Sequence, residues 1–443
     1  MSRAGKRIFF LFLFTFILML FGLLPLRMAG EEWIRGDGTP LEEEVAFVAG
    51  FPDRKTDVRL SLDPKHPENE EYYAIFPSYT DTAGIYLKLF GSDQFVLMDV
   101  NGNAQVFKNG DRLPDIGTSE IWYADIRSES GELRAHGKLH FVRAYDIPSV
   151  FIRTESRGME YIDEDKSHSE EGEISVRSEN GSILYEGGIK SIKGHGNSTW
   201  KKAKKPYQIT LRDKADLFGM GRARKWILLA NYMDHSQIRN SITYDMARSI
   251  GNEFAPESVY VELYLNGRCN GLYQLTEKVE VDEERLNITD LQKENELANS
   301  KNPPSQHSVS YNGAGESFVM GTDQAQLPKD ITGGYLIEHD YGWKYEEEPV
   351  RFSTEGGDTY VLSFPADAPI GEVEYVRGLF QELEDRIESG EALDGFIDLE
   401  SFAERYALEE LVQDEGAGIT SSYYYKDADR VDPPHTCGPL LGL

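Results

Sequence analysis

Gly194-His-Gly-Asn-Ser-Thr-Trp200, followed by Lys204-Lys-Pro-Tyr207, is the stretch that decides how this chain is read. A glycine-rich turn lets backbone N–H groups come close to an anion. Ser198 and Thr199 add hydroxyl donors, and a lysine on the following strand can reach phosphate oxygens. That is the logic of a phosphate clamp. No Gly-Lys-Ser/Thr ends the turn, so it is not a Walker loop. It also lacks the Gly-x-Gly-x-x-Gly spacing of protein kinases. Taken alone, the residues equally describe a tight turn between two strands. The surroundings lean toward an anion: Lys190 to Lys225 holds eleven Lys and Arg against two acids, Asp213 and Asp216, within a chain of net charge −30. A solvated basic face is the alternative.

Downstream, Ser236 to Ile250 reads as a helix, with Ile238, Ile242, Met246 and Ile250 every four residues, a cap at Ser236 or Asp234, and Gly251 after its end. Ser258–Leu265 alternates as a strand, and Asn266-Gly267 turns it into a second strand at Gly271–Glu277. Residues 291–330, with Pro303-Pro304 and many Ser, Asn and Gly, read as a mobile polar insertion. Gly333–Glu338 returns to strand, and helices are predicted near 372–389 and 398–412. Upstream, residues 31–150 carry short alternating runs separated by Asn101-Gly102, Asn109-Gly110 and Ser130-Gly131, the pattern of a small β-sandwich. Residues 155–179 are acidic and read as a loop or linker.

At 443 residues, 40% hydrophobic and 12% aromatic, the chain can bury two or three cores. The acidic balance argues against general nucleic-acid binding, because phosphate backbones need basic surfaces. Cys269 and Cys437 have no metal-like spacing. Arg3, Lys6 and Arg7 precede an apolar run over residues 8–26, close to the length of about 20 residues that spans a bilayer. Residues 1–30 therefore read as a membrane anchor or a secretory signal, with the chain from about residue 31 extracytoplasmic.

Eight segments, the first two from the opening stretch, widen the reading. Gly196–Trp200, Lys205–Tyr207, Lys225–Asn231, Asp234–Asn240, Val261–Gly267, Gly271–Lys278, Gly333–Glu338 and Ser422–Asp427 occur in that order. The series resembles the spore-coat protein H (CotH-like) kinase family over about residues 185–440. The resemblance implies an atypical protein-kinase-like fold that binds ATP with a divalent metal such as Mg²⁺ and phosphorylates protein Ser residues. Joined to the patterning upstream, it gives an α+β chain: a β-sandwich-like domain (31–150) and an acidic linker with first strands (151–186), both read from the residue pattern, then the kinase-like domain (187–443) that the resemblance implies, all behind an N-terminal apolar helix. Carried over by position, Gly194, Gly196, Asn197, Ser198 and Thr199 form the nucleotide loop, and Lys205, with Lys204 beside it, meets the phosphates. Glu277 lies where the chain would pass the adenine, and Asp234, Arg239 and Asn240 open the adjoining helix.

The chain departs from the family pattern twice. The family reads Asn-x-Asp-Ala-Gly where Asp414-Glu-Gly416-Ala-Gly418 stands here, so Gly416 lacks the expected carboxylate and Asp414 is the catalytic candidate left. The family then continues Gly-Pro-x-Trp-Asp-Tyr/Phe-Asp, whose carboxylates hold metal. This sequence reads Gly438-Pro-Leu-Leu-Gly-Leu443, so no metal ligand is assigned. One inserted base before a Trp-Asp-Tyr-Asp codon run yields Leu-Gly-Leu and a stop, so the expectation is a frameshifted, truncated member. Two readings follow: an exported ATP-dependent Ser kinase impaired in this chain, acting on a protein substrate, or a catalytically silent surface or coat protein that binds a nucleotide or protein partner.

Overall fold

The computed structural model describes residues 40–50, 55–91, 93–116, 120–252, 254–300, 309–314, 317–323, 326–339, 348–414, 416–429 and 438–440. The apolar run at 8–26 lies outside them, and so does Cys437. Among the described residues, no helix is long and apolar enough to cross a membrane. The architecture is α+β, dominated by strands.

After a short helix, α1 (Leu41–Glu44), come nine strands. They are β1 (Val45–Gly50), β2 (Lys55–Arg59), β3 (Ser61–Leu62), β4 (Glu71–Phe76), β5 (Tyr86–Leu89), β6 (Gln94–Met98), β7 (Ala104–Phe107), β8 (Ile121–Arg127) and β9 (Leu133–Arg143). The strands β2-β1-β5 lie side by side and join a later sheet through the single pair Arg59↔Arg268, and the second sheet runs β3-β4-β9-β8-β6-β7. Successive side chains of a strand point to opposite faces, so β4 buries Tyr72, Ala74 and Phe76 and turns Glu71, Tyr73 and Ile75 outward. The inward faces of the two sheets share one core. There Phe47 of β1 lies 5.2 Å from Phe141 of β9 and 6.3 Å from Phe95 of β6, ring centre to ring centre.

The next seven strands close on themselves. They are β10 (Ser149–Thr154), β11 (Ser169–Arg177), β12 (Ile183–Gly194), β13 (Tyr207–Asp216), β14 (Arg222–Leu229), β15 (Ser258–Leu265) and β16 (Arg268–Glu277). Their order is β10-β11-β12-β13-β14-β16-β15, and β15 returns to β10 in parallel. The ring is completed by β14 and β16, paired from Trp226↔Glu277 to Leu229↔Gln274. A closed barrel leaves no open sheet edge. Ile192, Ile209, Trp226, Leu228, Tyr273 and Leu275 are among the residues that fill it. The Asn266-Gly267 turn between β15 and β16 has φ of 52° and 87°, the left-handed pair that a two-residue hairpin needs.

The acidic stretch 155–179 is a correction to the sequence reading. It holds α2 (Glu160–Glu164) and the barrel strand β11, whose Ile174 and Val176 are buried. The outward glutamates hid its two-residue alternation.

The third layer contains β17 (Val309–Ala314), β18 (Ser317–Thr322), β19 (Tyr335–His339), β20 (Arg351–Ser353), β21 (Thr359–Phe364), β22 (Ser422–Lys426) and β23 (Gly438–Leu440). Their order is β17-β18-β20-β21-β19-β22-β23. The remaining helices are α3 (Arg239–Ser249), between β14 and β15, α4 (Leu291–Ala298), α5 (Ile370–Ser389) and α6 (Leu399–Val412). Val373, Val376 and Phe380 of α5 pack on Tyr335, Ile337, Phe352 and Leu362 of the sheet. The described parts of 291–330 belong to this layer and are not simply a polar insertion: Leu291 is fully buried and Val319 is 4% exposed. Barrel and third layer meet where Phe254 lies 5.3 Å from Tyr425, beside Leu286, Val279 and Leu336.

Candidate functional site

Gly194 ends β12, and the turn before β13 follows. A Cβ on Gly194 would stand 2.6 Å from the Trp200 ring, so the glycine is what lets Trp200 fold back over the strand end. Gly196 has φ +74°, a conformation glycine adopts without steric cost. Asn197, Ser198 and Thr199 form an exposed tip, with Asn197 Oδ1 accepting a hydrogen bond from Lys166 Nζ at 3.0 Å.

The two lysines singled out beyond the turn face elsewhere. Lys205 Nζ donates to the Trp200 carbonyl at 2.9 Å and stands 4.5 Å from the centre of that ring. Lys204 Nζ donates to the Leu272 carbonyl and lies 4.4 Å over Tyr273. Burial pushes the Lys204 ammonium down to about 8. The Lys205 ammonium thus braces the turn from within, and the Lys204 ammonium ties the chain beyond it to β16.

The lysines beneath the turn come from the outer face of the barrel. Ile192, Trp226 and Leu275 point into its core, so alternation places Lys193, Lys225 and, just past β16, Lys278 on the opposite face. The electrostatics agree. Burial first, then the charges of Lys225 and Lys193, hold Lys278 below the ordinary lysine range, against the pull of Glu280 and Glu338. Among the described residues, its Nζ has as hydrogen-bond partner only the neighbouring Val279 carbonyl, at 3.5 Å. His195 is pushed down to about 4, first by burial and then by Lys278, Lys166 and Lys193. Lys225 reaches Glu280 at 2.7 Å. Glu338 sits on β19, so this cluster spans the junction of barrel and third layer.

Glu277 is engaged on both oxygens. Arg285 Nη1 lies 2.7 Å from Oε1, and the Glu257 backbone N–H donates to Oε2 at 2.8 Å. It lines a cleft of about 250 Å³ together with Arg248, Phe254, Lys278 and Arg285. Asp234 caps α3: Oδ1 accepts from Ser236 N at 2.9 Å, and Oδ2 from Arg239 N at 2.9 Å. Arg239 is exposed, and Asn240 Nδ2 donates to Asn231 Oδ1 at 3.2 Å. Asp414 is exposed on the turn after α6, where Oδ1 accepts from Gly416 N at 2.9 Å. The structure therefore brings the turn, Lys193, Lys225 and Lys278 together, and gives Lys204, Lys205, Asp234 and Glu277 structural partners.

The family model described as CotH kinase protein matches residues 192–432, from the end of β12 past β22. The chain belongs to the CotH kinase family. No curated protein matches it. Membership implies nucleotide and metal use in general. The lysine cluster under a glycine turn fits nucleotide phosphates in charge, and the Lys278 ammonium makes only one long hydrogen bond among the described residues. The metal fits less well: among the described residues, no three His, Cys, Asp or Glu side chains converge as a metal cage.

Proposed function

We propose that this CotH-family chain binds ATP through its phosphates, between the Gly194–Thr199 turn and Lys193, Lys225 and Lys278, as an extracytoplasmic kinase-like protein. The observation that carries the reading is the crowding of these lysines and His195, with burial and mutual repulsion depressing Lys278 and His195. Glu280 and Glu338 offset this repulsion only in part, since Lys278 stays below the ordinary lysine range, and perturbed groups of this kind gather at functional sites. The order of elements supports the same reading. A strand, a glycine turn, a return strand, a strand bearing Lys225, helix α3 and two further strands follow one another, as in the nucleotide-binding half of protein kinases. The partner of the lysine differs: Glu280 lies in the chain leaving β16, not on α3.

Bound ATP would supply the phosphoryl group. The chain would orient its phosphates with the backbone of the turn and the three ammonium groups, and the acceptor would be a protein Ser hydroxyl. Gly416 offers no carboxylate to take that hydroxyl's proton, so transfer is slow in this chain. That same residue favours the second reading, a silent coat or surface protein that retains the nucleotide.

Thermal shifts with ATP, ADP and adenosine test the binding claim. Stabilisation should grow with phosphate number, following the linkage of ligand to the folded state. Equal shifts for adenosine and ATP would show that the lysines do not read the phosphates.

A further inference from the structure

Helix α4 docks through a stripe that is largely polar. Leu291, Asn295 and Asn299 recur every four residues and are 0%, 1% and 4% exposed. Opposite Asn295 stands Glu372, in the first turn of α5 and 0% exposed. Asn295 Nδ2 donates to Glu372 Oε2 at 3.1 Å. The other two oxygens of this pair, Asn295 Oδ1 and Glu372 Oε1, are buried with no hydrogen-bond partner among the described residues. Each of these orphaned atoms is costly where it stands.

Among the described residues, the titratable groups that act on Glu372 offer no cation. They are Asp367, just before α5, and Tyr335 on β19, with Tyr375 of α5 and Asp330 beyond Tyr335. A single proton on Oε1 resolves both orphans. The acid O–H then donates to Asn295 Oδ1 while Oε2 keeps accepting from Nδ2, closing a two-bond carboxyl–carboxamide ring.

We propose that Glu372 is held as the neutral acid in a cyclic pair with Asn295, and that losing this proton undocks α4. Glu372 and Asn295 thus act as a proton-operated latch. Its position gives it leverage. The chain leaving the lysine cluster runs through residues 278–290 directly into α4, and Thr289 N donates to the buried Asp427 at 2.8 Å. Burial raises the Glu372 carboxyl to about 7 from the ordinary 4.5, against the Asn295 bond, with the charge of Asp367 adding to the rise. The folded state then holds more protons than the open one between these values. Docking is strongest below about 4.5 and weakens as pH rises through about 7.

Carboxyl-carbon NMR of the full chain, with Glu372 assigned by comparison with Glu372→Gln, tests this directly. A midpoint near 7 is expected, and one nearer 4.5 overturns the proposal. Amide exchange across 291–299 gives a second readout. Protection factors should fall about tenfold or more between pH 5 and 8, the change that about one unit of differential protonation produces. In Glu372→Gln the amide N–H replaces the acid O–H toward Asn295, so protection should be independent of pH. Should that variant fail to fold, the wild-type exchange decides alone, because unchanged protection from pH 5 to 8 also overturns the latch.

Discussion

Lys225 of β14 and Glu280, three residues past the end of β16, form an ion pair at 2.7 Å that ties the basic cluster to the chain linking barrel and third layer. The Lys225 side chain is 43% exposed, so the pair stabilises the fold by no more than about 1 kcal/mol. Stability and binding should therefore separate. Lys225→Ala is expected to lower Tm by about 4 °C at most. It should weaken ATP binding about tenfold or more, the scale of a lost charge-assisted hydrogen bond. Melting curves beside calorimetric titrations check both. Unchanged affinity in a folded variant would remove Lys225 from the site.

His195 reports on the same cluster from the turn. Its folded pKa of about 4 lies below the ordinary 6.5, so the folded state holds fewer protons between these values. Its contribution to stability is fully present above about 6.5 and is lost as pH falls toward 4. A bound phosphate adds negative charge beside the ring, so ADP should raise the pKa and its binding should take up protons in that window. NMR titration of the His195 ring with and without ADP follows this. A midpoint that ADP leaves in place would put the phosphates elsewhere.

Gly416 is where a carboxylate can be restored. A Cβ there would stand 2.9 Å from Thr420 Cγ2 and 3.3 Å from Asp414 Oδ1, so Thr420 must give slightly and Gly416→Ala serves as the steric control. Gly416→Asp should raise phosphoryl transfer from ATP to a Ser-containing protein about a hundredfold or more, as a placed general base does. Radiolabel transfer measures it. Equal rates in the Asp and Ala variants would take position 416 out of catalysis.

Local chemistry made part of this molecule legible. Asn266-Gly267 fixed a hairpin because both residues accept positive φ. The four-residue spacing from Ile238 located α3, yet Tyr244 and Ala247 are the residues it buries, while Ile238, Ile242 and Ile250 are exposed. Periodicity marks a helix but does not say which neighbour will cover it. Lys205 drew attention as the lysine before Pro206-Tyr207, but sequence cannot show that Trp200 folds back to receive its ammonium. Lys278 closed the Gly271–Lys278 segment of the family series, but no residue pattern assigned it a role. Its place beside Lys225 follows from the pairing of β14 with β16, which closes the barrel across nearly fifty residues of chain. Such long-range pairings leave no local pattern to read.

The most direct test of the account is the ATP affinity of Lys278→Met beside that of Lys205→Ala, measured by titration calorimetry on folded proteins. Methionine keeps the length and apolar stem of the lysine while removing its charge. The account predicts that Lys278→Met weakens binding about tenfold or more, with the smaller loss in Lys205→Ala, whose ammonium serves the turn. Parental affinity in Lys278→Met, together with lost binding in Lys205→Ala, would contradict it and return the phosphates to the lysine beside the turn.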